Sequence, residues 1–316
     1  SARPAHTQVM SVKAVSRTMP TPSTDAPELL ATPADLRRWS ATWHAAGETV
    51  GMVPTMGALH AGHRSLIDRA VAENEKVVVT IFVNPAQFGP HEDFARYPRT
   101  LDADLAMLAA AGVHAAFVPS VETMYPPDGV TGLSISGPLG ERLEAASRPG
   151  HFNGVALVVT KLLVAGIPDR AYFGQKDAQQ CAIVRHLARD LNTGVEIVVC
   201  PTVRDPDGLA ISSRNVYLSA EERARALAIP TSLALALARF EAGERDATSL
   251  ATIVRSHLDK EGLDIDYVAV VRADDFSEAE TAVPTNQIVL AARIGSTRLI
   301  DVVRLGVDTA PVGRGV

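Results

Sequence analysis

Residues 54–63 read PTMGALHAGH, and this stretch decides how the chain around it folds. The run TVGMV before it predicts a buried strand, and RSLIDRAVAE after it predicts a helix. A strand, a glycine-containing turn and a helix start form a ready anion site, because the first N–H groups of a helix have no internal partners. His60 and His63 are three residues apart, so both rings are expected on one side of the first turn.

Two histidines at this spacing also have an ordinary structural explanation, in which one ring caps the turn and the other faces solvent. Gly57, Gly62 and the preceding strand favour a functional role instead. Two imidazoles beside the positive end of a helix can bind developing phosphate charge without a metal. The turn is therefore a candidate phosphate site.

The composition excludes several classes of protein. A chain of 316 residues is long enough for two domains. Its net charge of −6, without a long run of Lys or Arg, argues against nucleic-acid binding. Lys161 and Pro230 interrupt the most apolar stretches, so no membrane span is predicted. The N-terminus lacks the apolar core of a signal peptide, and a cytoplasmic location is expected.

The two cysteines, Cys181 and Cys200, are predicted to be small core residues rather than a disulfide.

The first two thirds of the chain alternate between strand and helix patterns. Residues 1–27 are polar and proline-rich, and they are predicted to be a disordered extension. A helix is predicted from Pro33, with Thr32 as its cap and Gly47 at its end. Strands are predicted at 49–54, 76–84, 115–119, 170–173 and 195–204, with helices to about 75, at 100–111, from about 155 and from 178. This alternation predicts an α/β fold, a Rossmann-like doubly wound parallel sheet with its functional residues at the carboxyl ends of the strands.

The pattern changes near residue 203. An alanine-rich helix is predicted at about 219–242 and another at 246–261, followed by three antiparallel strands within 264–306. The predicted organisation is a nucleotide- and substrate-binding domain over 28–202 and a smaller α+β domain over 203–316.

Two uncharged amides, Asn84 and Gln87, follow the strand predicted at 76–84. Amides at such a place can hold a small polar substrate without altering its charge. Capping of the loop explains them equally well when they are considered alone.

The segment GQKDAQQ at 174–180 places Lys176 in a turn between a buried strand and a helix. That position suits a cation that stabilises a transferring phosphoryl or nucleotidyl group. Asp177 is expected to cap the helix, and Gln180 lies one turn further on.

The loop ISSRN at 211–215 carries two hydroxyls and an arginine, which suit a phosphate, although such a loop is as often a turn or a cap. Arg148 is either another anion ligand or part of an exposed salt bridge. Motifs for an activated nucleophile, a protein metal cage, a phosphate loop or a dinucleotide fingerprint are absent from the sequence.

Six motifs taken in order are more specific than any one of them. They are PTMGALHAGH, IFVNPAQF, YPRT, RPGHFNGV, YFGQKDAQQ and PTVRDPDGLAISSRN. Together they resemble the pantoate–beta-alanine ligase family from about residue 28 to the C-terminus. The HxGH element alone would indicate only the wider HIGH-type nucleotidyltransferase superfamily.

The resemblance implies an ATP-dependent ligase. Pantoate attacks the α-phosphate of ATP to give pantoyl adenylate and pyrophosphate, and beta-alanine then displaces AMP to form pantothenate. ATP is thus a substrate, and Mg²⁺ is implied through its phosphates. The family is commonly dimeric, so a homodimer is expected, with the C-terminal domain acting as a lid. In-line displacement requires positioning and charge neutralisation rather than a covalent nucleophile.

The resemblance also implies roles for individual residues. His63 matches the residue usually assigned as proton donor, with His60 beside it, and Lys176 and Arg214 neutralise phosphate charge. Gln87 and Gln180 match the pair that holds pantoate, with Asn84 and Arg148 as further candidates for pantoate or beta-alanine. The ATP-binding set implied is Met56, Gly57, Ala58, Leu59, His60, Ala61, Gly62, His63, Gly174, Gln175, Lys176, Asp177, Val203, Ile211, Ser212, Ser213 and Arg214.

The chain departs from the family pattern at five positions. The family usually has an acidic residue at 61, glutamate at 175, an aromatic at 178 and methionine at 211, and often aspartate at 103. This chain has Ala61, Gln175, Ala178, Ile211 and Ala103 there. Two other functions stay open at this point: a different adenylyl transferase of the same superfamily, and a nucleotide-binding regulator that has lost catalysis.

Overall fold

Six parallel strands form the central sheet, in the order β1-β4-β3-β2-β5-β6. The structure is a computed structural model that describes residues 26–90, 92 and 94–311, so most of the predicted extension at 1–27 lies outside it. The strands are β1 (Glu28–Leu30), β2 (Val50–Thr55), β3 (Lys76–Ile81), β4 (Ala115–Phe117), β5 (Arg170–Gly174) and β6 (Glu196–Cys200).

Helices cover both faces of this sheet. They are α1 (Pro33–Ala45), α2 (Ala61–Glu73), α3 (Leu101–Ala110), α4 (Val121–Met124), α5 (Pro138–Glu141), α6 (Glu144–Ser147), α7 (His151–Gly166) and α8 (Ala178–Asp190). Adjacent residues of β2 point to opposite sides: Met52 packs in the core formed with α1, α7 and α8, and Val53 in the core formed with α2 and α3. Burial on both faces explains the continuous apolar strands.

A second, antiparallel sheet follows in the C-terminal domain. It contains β7 (Asp264–Val271), β8 (Gln287–Ile294) and β9 (Thr297–Arg304), and it packs with α9 (Ala220–Ala226), α10 (Ala228–Glu241) and α11 (Ala247–Lys260). The predicted α/β fold with a smaller α+β domain is confirmed. None of the helices in the described ranges is long and apolar enough to cross a membrane.

The order of the strands places the site. The chain passes from β2 through β3 to β4 on one side, and β5 and β6 lie on the other side of β2. The strand order thus reverses between the neighbouring strands β2 and β5. Ligands bind in open α/β sheets at the carboxyl ends of the strands at such a point. The turns 56–60 and 175–177 follow these two strands, so the fold brings them together.

Several predicted boundaries are wrong, each for a local reason. Strand β6 ends at Cys200 because Pro201 cannot donate to a ladder and β5 pairs no further than Gly174. The helix predicted at 219–242 is two helices that meet at Leu227, because Pro230 lacks the N–H that would continue one helix. Strand β1 was not predicted, since three residues show no periodicity.

Helix α7 begins at His151 rather than near 155, after Gly150 in a left-handed conformation. Gly154 lies inside it because the helix passes close to the loop at 84–87. A Cβ at position 154 would lie 2.0 Å from the carbonyl oxygen of Ala86. This close approach keeps the loop beside the site.

Candidate active site

The turn after β2 has a constrained backbone. Gly57 and Ala58 both have positive φ, at 81° and 50°. The carboxylate of Asp104, from α3, accepts hydrogen bonds from the backbone N–H groups of Ala58 at 3.0 Å and Leu59 at 2.8 Å. Asp104 is 2 % exposed. Asp104 was not among the predicted site residues, because it belongs to none of the recognised motifs. It follows Ala103, one of the five departures from the family pattern.

His60 and His63 share the start of α2, as predicted. His60 is the N-cap residue, and the two ring centroids lie 4.1 Å apart. Nδ1 of His60 accepts from the Gly62 N–H at 3.2 Å, and Nδ1 of His63 accepts from the His60 N–H at 3.4 Å. In the neutral form the proton of each ring is therefore on Nε2, leaving Nε2–H as a donor. Gly62 is required here, since a Cβ would meet the His60 ring at 2.9 Å.

Both histidines are held in the neutral form. Burial, together with the nearby Lys176 ammonium and against a smaller opposite effect of Asp177, lowers the pKa of His60 to about 4. Burial lowers the pKa of His63 to about 3, with His60 and Lys176 contributing. The pair therefore offers neutral donors near pH 7, in a field that favours an anion.

Lys176 lies between β5 and α8 and completes this group. Among the described residues, no carboxylate oxygen lies within 4 Å of its ammonium nitrogen, so the structure shows no ion pair for it. Asp177 occupies the N-cap position of α8, as predicted, but its side chain makes no capping hydrogen bond. Ala61, the first residue of α2, is exposed and lines neither of the cavities beside these groups.

The amides after β3 do two different things. Asn84 is 1 % exposed, and its Nδ2 donates to Oε1 of Gln87 at 3.0 Å and to the Gly154 carbonyl at 3.2 Å. Its Oδ1 accepts from the Ala86 N–H and the Tyr125 hydroxyl. With these bonds Asn84 orients the loop, as the capping explanation predicted, whereas Gln87 faces the cavity with one N–H directed at Met56 Sδ, 3.3 Å away.

Arg148 is not a free anion ligand. Its guanidinium donates to both carboxylate oxygens of Glu92, and its side chain is 15 % exposed, so the salt bridge is partly buried rather than exposed. A second arginine, Arg298 from β9, donates to both oxygens of Glu144 at 2.8 and 2.7 Å. Glu144 also lies 3.6 Å from Arg148, which joins the two pairs into one network.

His151 connects this network to the amide loop. Its Nδ1 lies 2.8 Å from the Gln87 carbonyl oxygen and therefore donates to it, while Nε2 accepts from Arg148 at 3.0 Å. Burial and the Arg148 charge lower the pKa of His151 to about 4. The neutral ring fits between one acceptor and one donor. His151 and Glu144 were not singled out from the sequence, although His151 lies in the RPGHFNGV motif.

The loop 203–214 closes the other side of the site. The Ile211 N–H donates to the Val203 carbonyl at 3.0 Å, and Ser212 caps the short helix Ser213–Tyr217. Arg204 donates to both oxygens of the buried Asp301 on β9, which fastens the loop to the antiparallel sheet. Ser212, Ser213 and Arg214 consequently face the turn that carries Lys176.

Two adjoining cavities occupy the space between the sheets. The smaller, of about 240 Å³, contains His60, His63, Gln87, Gln180 and the loop 211–214 in its wall. The larger, of about 720 Å³, lies against the antiparallel sheet and shares Lys176, Gln180, Ser212 and Arg214 with the first. Most of the predicted site residues line these cavities; Gly57, Ala58, Leu59, Ala61 and the buried Gln175 line neither.

The family described as Pantoate-beta-alanine ligase matches residues 28–304. The pantothenate synthetase of Roseiflexus sp. (strain RS-1) is 55 % identical over 254 residues, covering 80 % of this chain and 91 % of that protein. That of Gluconobacter oxydans is 52 % identical, covering 80 % and 92 %.

Solved structures show the same relationship. The pantothenate synthetase from Thermus thermophilus superposes with a TM-score of 0.82 at 42 % identity, covering 90 % of this chain and all of that one. The pantoate-beta-alanine ligase from Francisella tularensis, complexed with beta-gamma ATP and beta-alanine, has a TM-score of 0.70 at 32 % identity, covering 88 % and 98 %. The chain belongs to the pantoate–beta-alanine ligase family.

Proposed function

We propose that this chain condenses pantoate with beta-alanine in an ATP-dependent reaction that passes through pantoyl adenylate and releases pyrophosphate and AMP. The single observation that carries the assignment is the group formed by His60, His63 and Lys176, in which two neutral donors and one cation lie beside the cavity without an ion pair in the described chain. A ligand with phosphate charge completes that group.

ATP is placed with its phosphates against this group. The positive end of α2 faces the phosphates, and the Nε2–H groups of His60 and His63 donate to phosphate oxygens. Lys176 and Arg214 supply positive charge from the opposite wall, with Ser212 and Ser213 as hydroxyl donors. The turns of Met56–Leu59, Gly174–Asp177, Val203 and Ile211 surround the nucleotide.

Pantoate is placed beside Gln87 and Gln180. In this part of the cavity the protein offers amides rather than a free guanidinium, because Arg148 is already neutralised by Glu92 and Glu144. A carboxylate held by amides keeps its charge and remains a nucleophile. Asn84 acts behind Gln87, whose side chain it orients.

The protein itself needs no covalent nucleophile. Both cysteines are buried, and burial raises their thiol pKa values. The pantoate carboxylate attacks the α-phosphate, the bond to pyrophosphate breaks, and the electron pair leaves on the pyrophosphate oxygen. His63, with its proton on Nε2, donates a hydrogen bond that strengthens as this charge develops, because the acceptor oxygen becomes more negative.

Mg²⁺ belongs to this proposal as a companion of ATP. Among the described residues, no group of three His, Cys, Asp or Glu side chains is placed to hold a metal ion. The donor set fits a metal whose ligands are mostly phosphate oxygens and water, with Asp177 as the carboxylate at the edge of the site. When bound, the ion neutralises phosphate charge.

Beta-alanine is the second substrate, which a structural relative binds together with an ATP analogue. The larger cavity extends from the Lys176 turn towards the antiparallel sheet, and it offers the room for an amine to reach the adenylate. The domain division at residue 203, the lid role of the C-terminal domain, the homodimer and the cytoplasmic location stay predictions.

The test measures AMP release by the purified protein with ATP, pantoate and beta-alanine, omitting each in turn. We expect AMP only when all three are present. Absence of AMP under every condition contradicts the ligase assignment and supports a nucleotide-binding regulator. AMP or dinucleotide formation that does not require pantoate supports a different adenylyl transferase.

A further inference from the structure

The turn that carries Lys176 is held from behind by its neighbour Gln175. The Gln175 N–H donates to the Cys200 carbonyl at 2.8 Å, which ties the turn to the end of β6. Gln175 is 3 % exposed and lines neither cavity. Its Nε2 donates to a carboxylate oxygen of Asp308, which lies 133 residues further along the chain.

Asp308 comes from the C-terminal domain. It follows β9 and is bound to Arg304 of that strand, accepting from the backbone N–H at 2.8 Å and from Nε at 2.9 Å. These bonds fix the position and the charge of the carboxylate. The bond to Gln175 is thus a contact between the antiparallel sheet and the turn at the carboxyl end of β5.

The chemistry of this contact requires a donor at position 175. A carboxylate only accepts hydrogen bonds, so the amide must present Nε2 to Asp308. Oε1 of Gln175 is buried and has no partner among the described residues, which makes Asp308 the one polar anchor seen for this side chain. Its other anchor is the backbone bond to Cys200.

We propose that Gln175 and Asp308 are positioning residues for the reaction, and that their hydrogen bond fixes the position of the Lys176 ammonium relative to the phosphates of ATP. This inference rests on the proposed function. Lys176 follows Gln175 directly, and the described structure shows no ion pair that would hold its ammonium in place. A shift of the turn by a fraction of an ångström therefore moves the cation, and the rate of a positioned reaction is sensitive to such a shift.

The experiment is a cycle of three variants: Gln175→Glu, Asp308→Asn and the double variant. In Gln175→Glu two carboxylates oppose each other and neither can donate. In the double variant the new amide at position 308 donates to the new carboxylate at position 175, so the bond returns with its direction reversed and the pair keeps its net charge. The Arg304 N–H, which donates to the same Asp308 oxygen in the parent, then loses its acceptor. For each variant kcat and KM for ATP and pantoate are measured, together with the midpoint of thermal unfolding.

We expect Gln175→Glu to lower kcat about tenfold, the size of one lost charge-assisted hydrogen bond, with KM for pantoate unchanged. The double variant is expected to be faster than Gln175→Glu but slower than the parent, because it restores the bond between positions 175 and 308 and loses the acceptor of the Arg304 N–H. The matched control is Asp275→Asn, which alters an exposed Arg–Asp pair in the same domain and is expected to leave kcat unchanged.

The inference is overturned if Gln175→Glu is as fast as the parent, or if the double variant is no faster than Gln175→Glu. A fall in kcat fully explained by a smaller folded fraction also overturns it, since the bond would then only stabilise the fold. A parent chain that releases no AMP is a different result, because it contradicts the proposed function itself.

Discussion

Two groups of titratable side chains face the same cavities and differ in whether their charges are paired. In the first, here named the open cluster, His60, His63 and Lys176 lie together with no ion pair in the described structure, and burial with mutual repulsion lowers the pKa of both rings. In the second, the closed network, the described members are paired. It consists of Glu92, Glu144, Arg148, His151 and Arg298.

This difference indicates that one group binds the ligand and the other stabilises the fold. The Lys176 ammonium beside two neutral ring donors has no counter-charge in the described structure, and its interactions become more favourable when an anion binds. Paired and buried charges bind a ligand weakly, because their hydrogen bonds are already made. Removing one partner is nevertheless destabilising, because the remaining charge is then buried without a counter-charge. The open cluster should therefore control activity, and the closed network should control stability.

The largest expected effect is on stability, at Arg298. Arg298→Met leaves Glu144 buried with its main partner missing and is expected to lower the free energy of unfolding by about 3 kcal/mol. The matched control is Arg293→Met on the neighbouring strand, whose ion pair with Asp266 is longer and whose side chain is 44 % exposed, with an expected loss below about 1 kcal/mol. Denaturant unfolding measures both.

The double variant Arg298→Met with Glu144→Met removes both charges. We expect it to recover part of the lost stability, because an apolar pair of similar volume often replaces a buried ion pair without loss, while Asp266 still lacks the bond from Arg298 Nε. If the double variant is as unstable as Arg298→Met, then packing rather than charge explains the effect.

The largest effect on activity is expected at Lys176. Lys176→Ala should lower the rate of adenylation at least ~100-fold, corresponding to about 2.7 kcal/mol, with unfolding nearly unchanged. The exposed Lys260→Ala in α11 is the control for loss of one positive charge. Pyrophosphate release in a single turnover measures the step. A normal rate of adenylate formation in Lys176→Ala would refute the role given to this residue.

Asp104 is expected to have an intermediate effect on both properties. Asp104→Ala removes the acceptor for two backbone N–H groups of the strained turn, at a cost of about 2 kcal/mol in unfolding free energy. Because those residues lead into α2, affinity for ATP should fall as well. Asp102→Ala, an exposed position in the same helix, should change neither. Unchanged ATP affinity in Asp104→Ala would show that the turn does not depend on this carboxylate.

The smallest effect is a dependence of stability on pH through His151. Its pKa is about 4 in the folded protein against an ordinary value of 6.5, so between these values the unfolded chain binds more protons. The stability contributed by the neutral ring is present above pH 6.5 and is lost as the pH falls towards 4, by about 1 to 2 kcal/mol between pH 7 and pH 5. His151→Gln keeps a donor and an acceptor but does not titrate.

The difference in unfolding free energy between pH 7 and pH 5 should therefore be smaller in His151→Gln than in the parent. His60 and His63 of the open cluster should also lower the unfolding free energy as the pH falls. Bound ATP should reduce their contribution to this pH dependence. An identical pH dependence in His151→Gln and the parent contradicts the neutral assignment of His151.

Local patterns in the sequence predicted the elements that carry the site. Thr32 and Pro33 predicted the start of α1, which the capping box with Asp35 confirms. The run of β-branched residues predicted β3, and the spacing of His60 and His63 predicted rings on one side of a helix start. These predictions succeed because caps, periodicity and turns depend on residues only a few positions apart.

What the tertiary structure alone decided are the partners from distant parts of the chain. Asp104 reaches a turn 46 residues away, Arg298 reaches Glu144 across 154, and Asp308 reaches Gln175 across 133. Arg148 and Asn84 have side chains that could bind a ligand, yet in the fold their polar groups bond to other residues of the protein. The physical reason is that such contacts depend on which strands become neighbours, and strand order leaves no period or motif in the sequence.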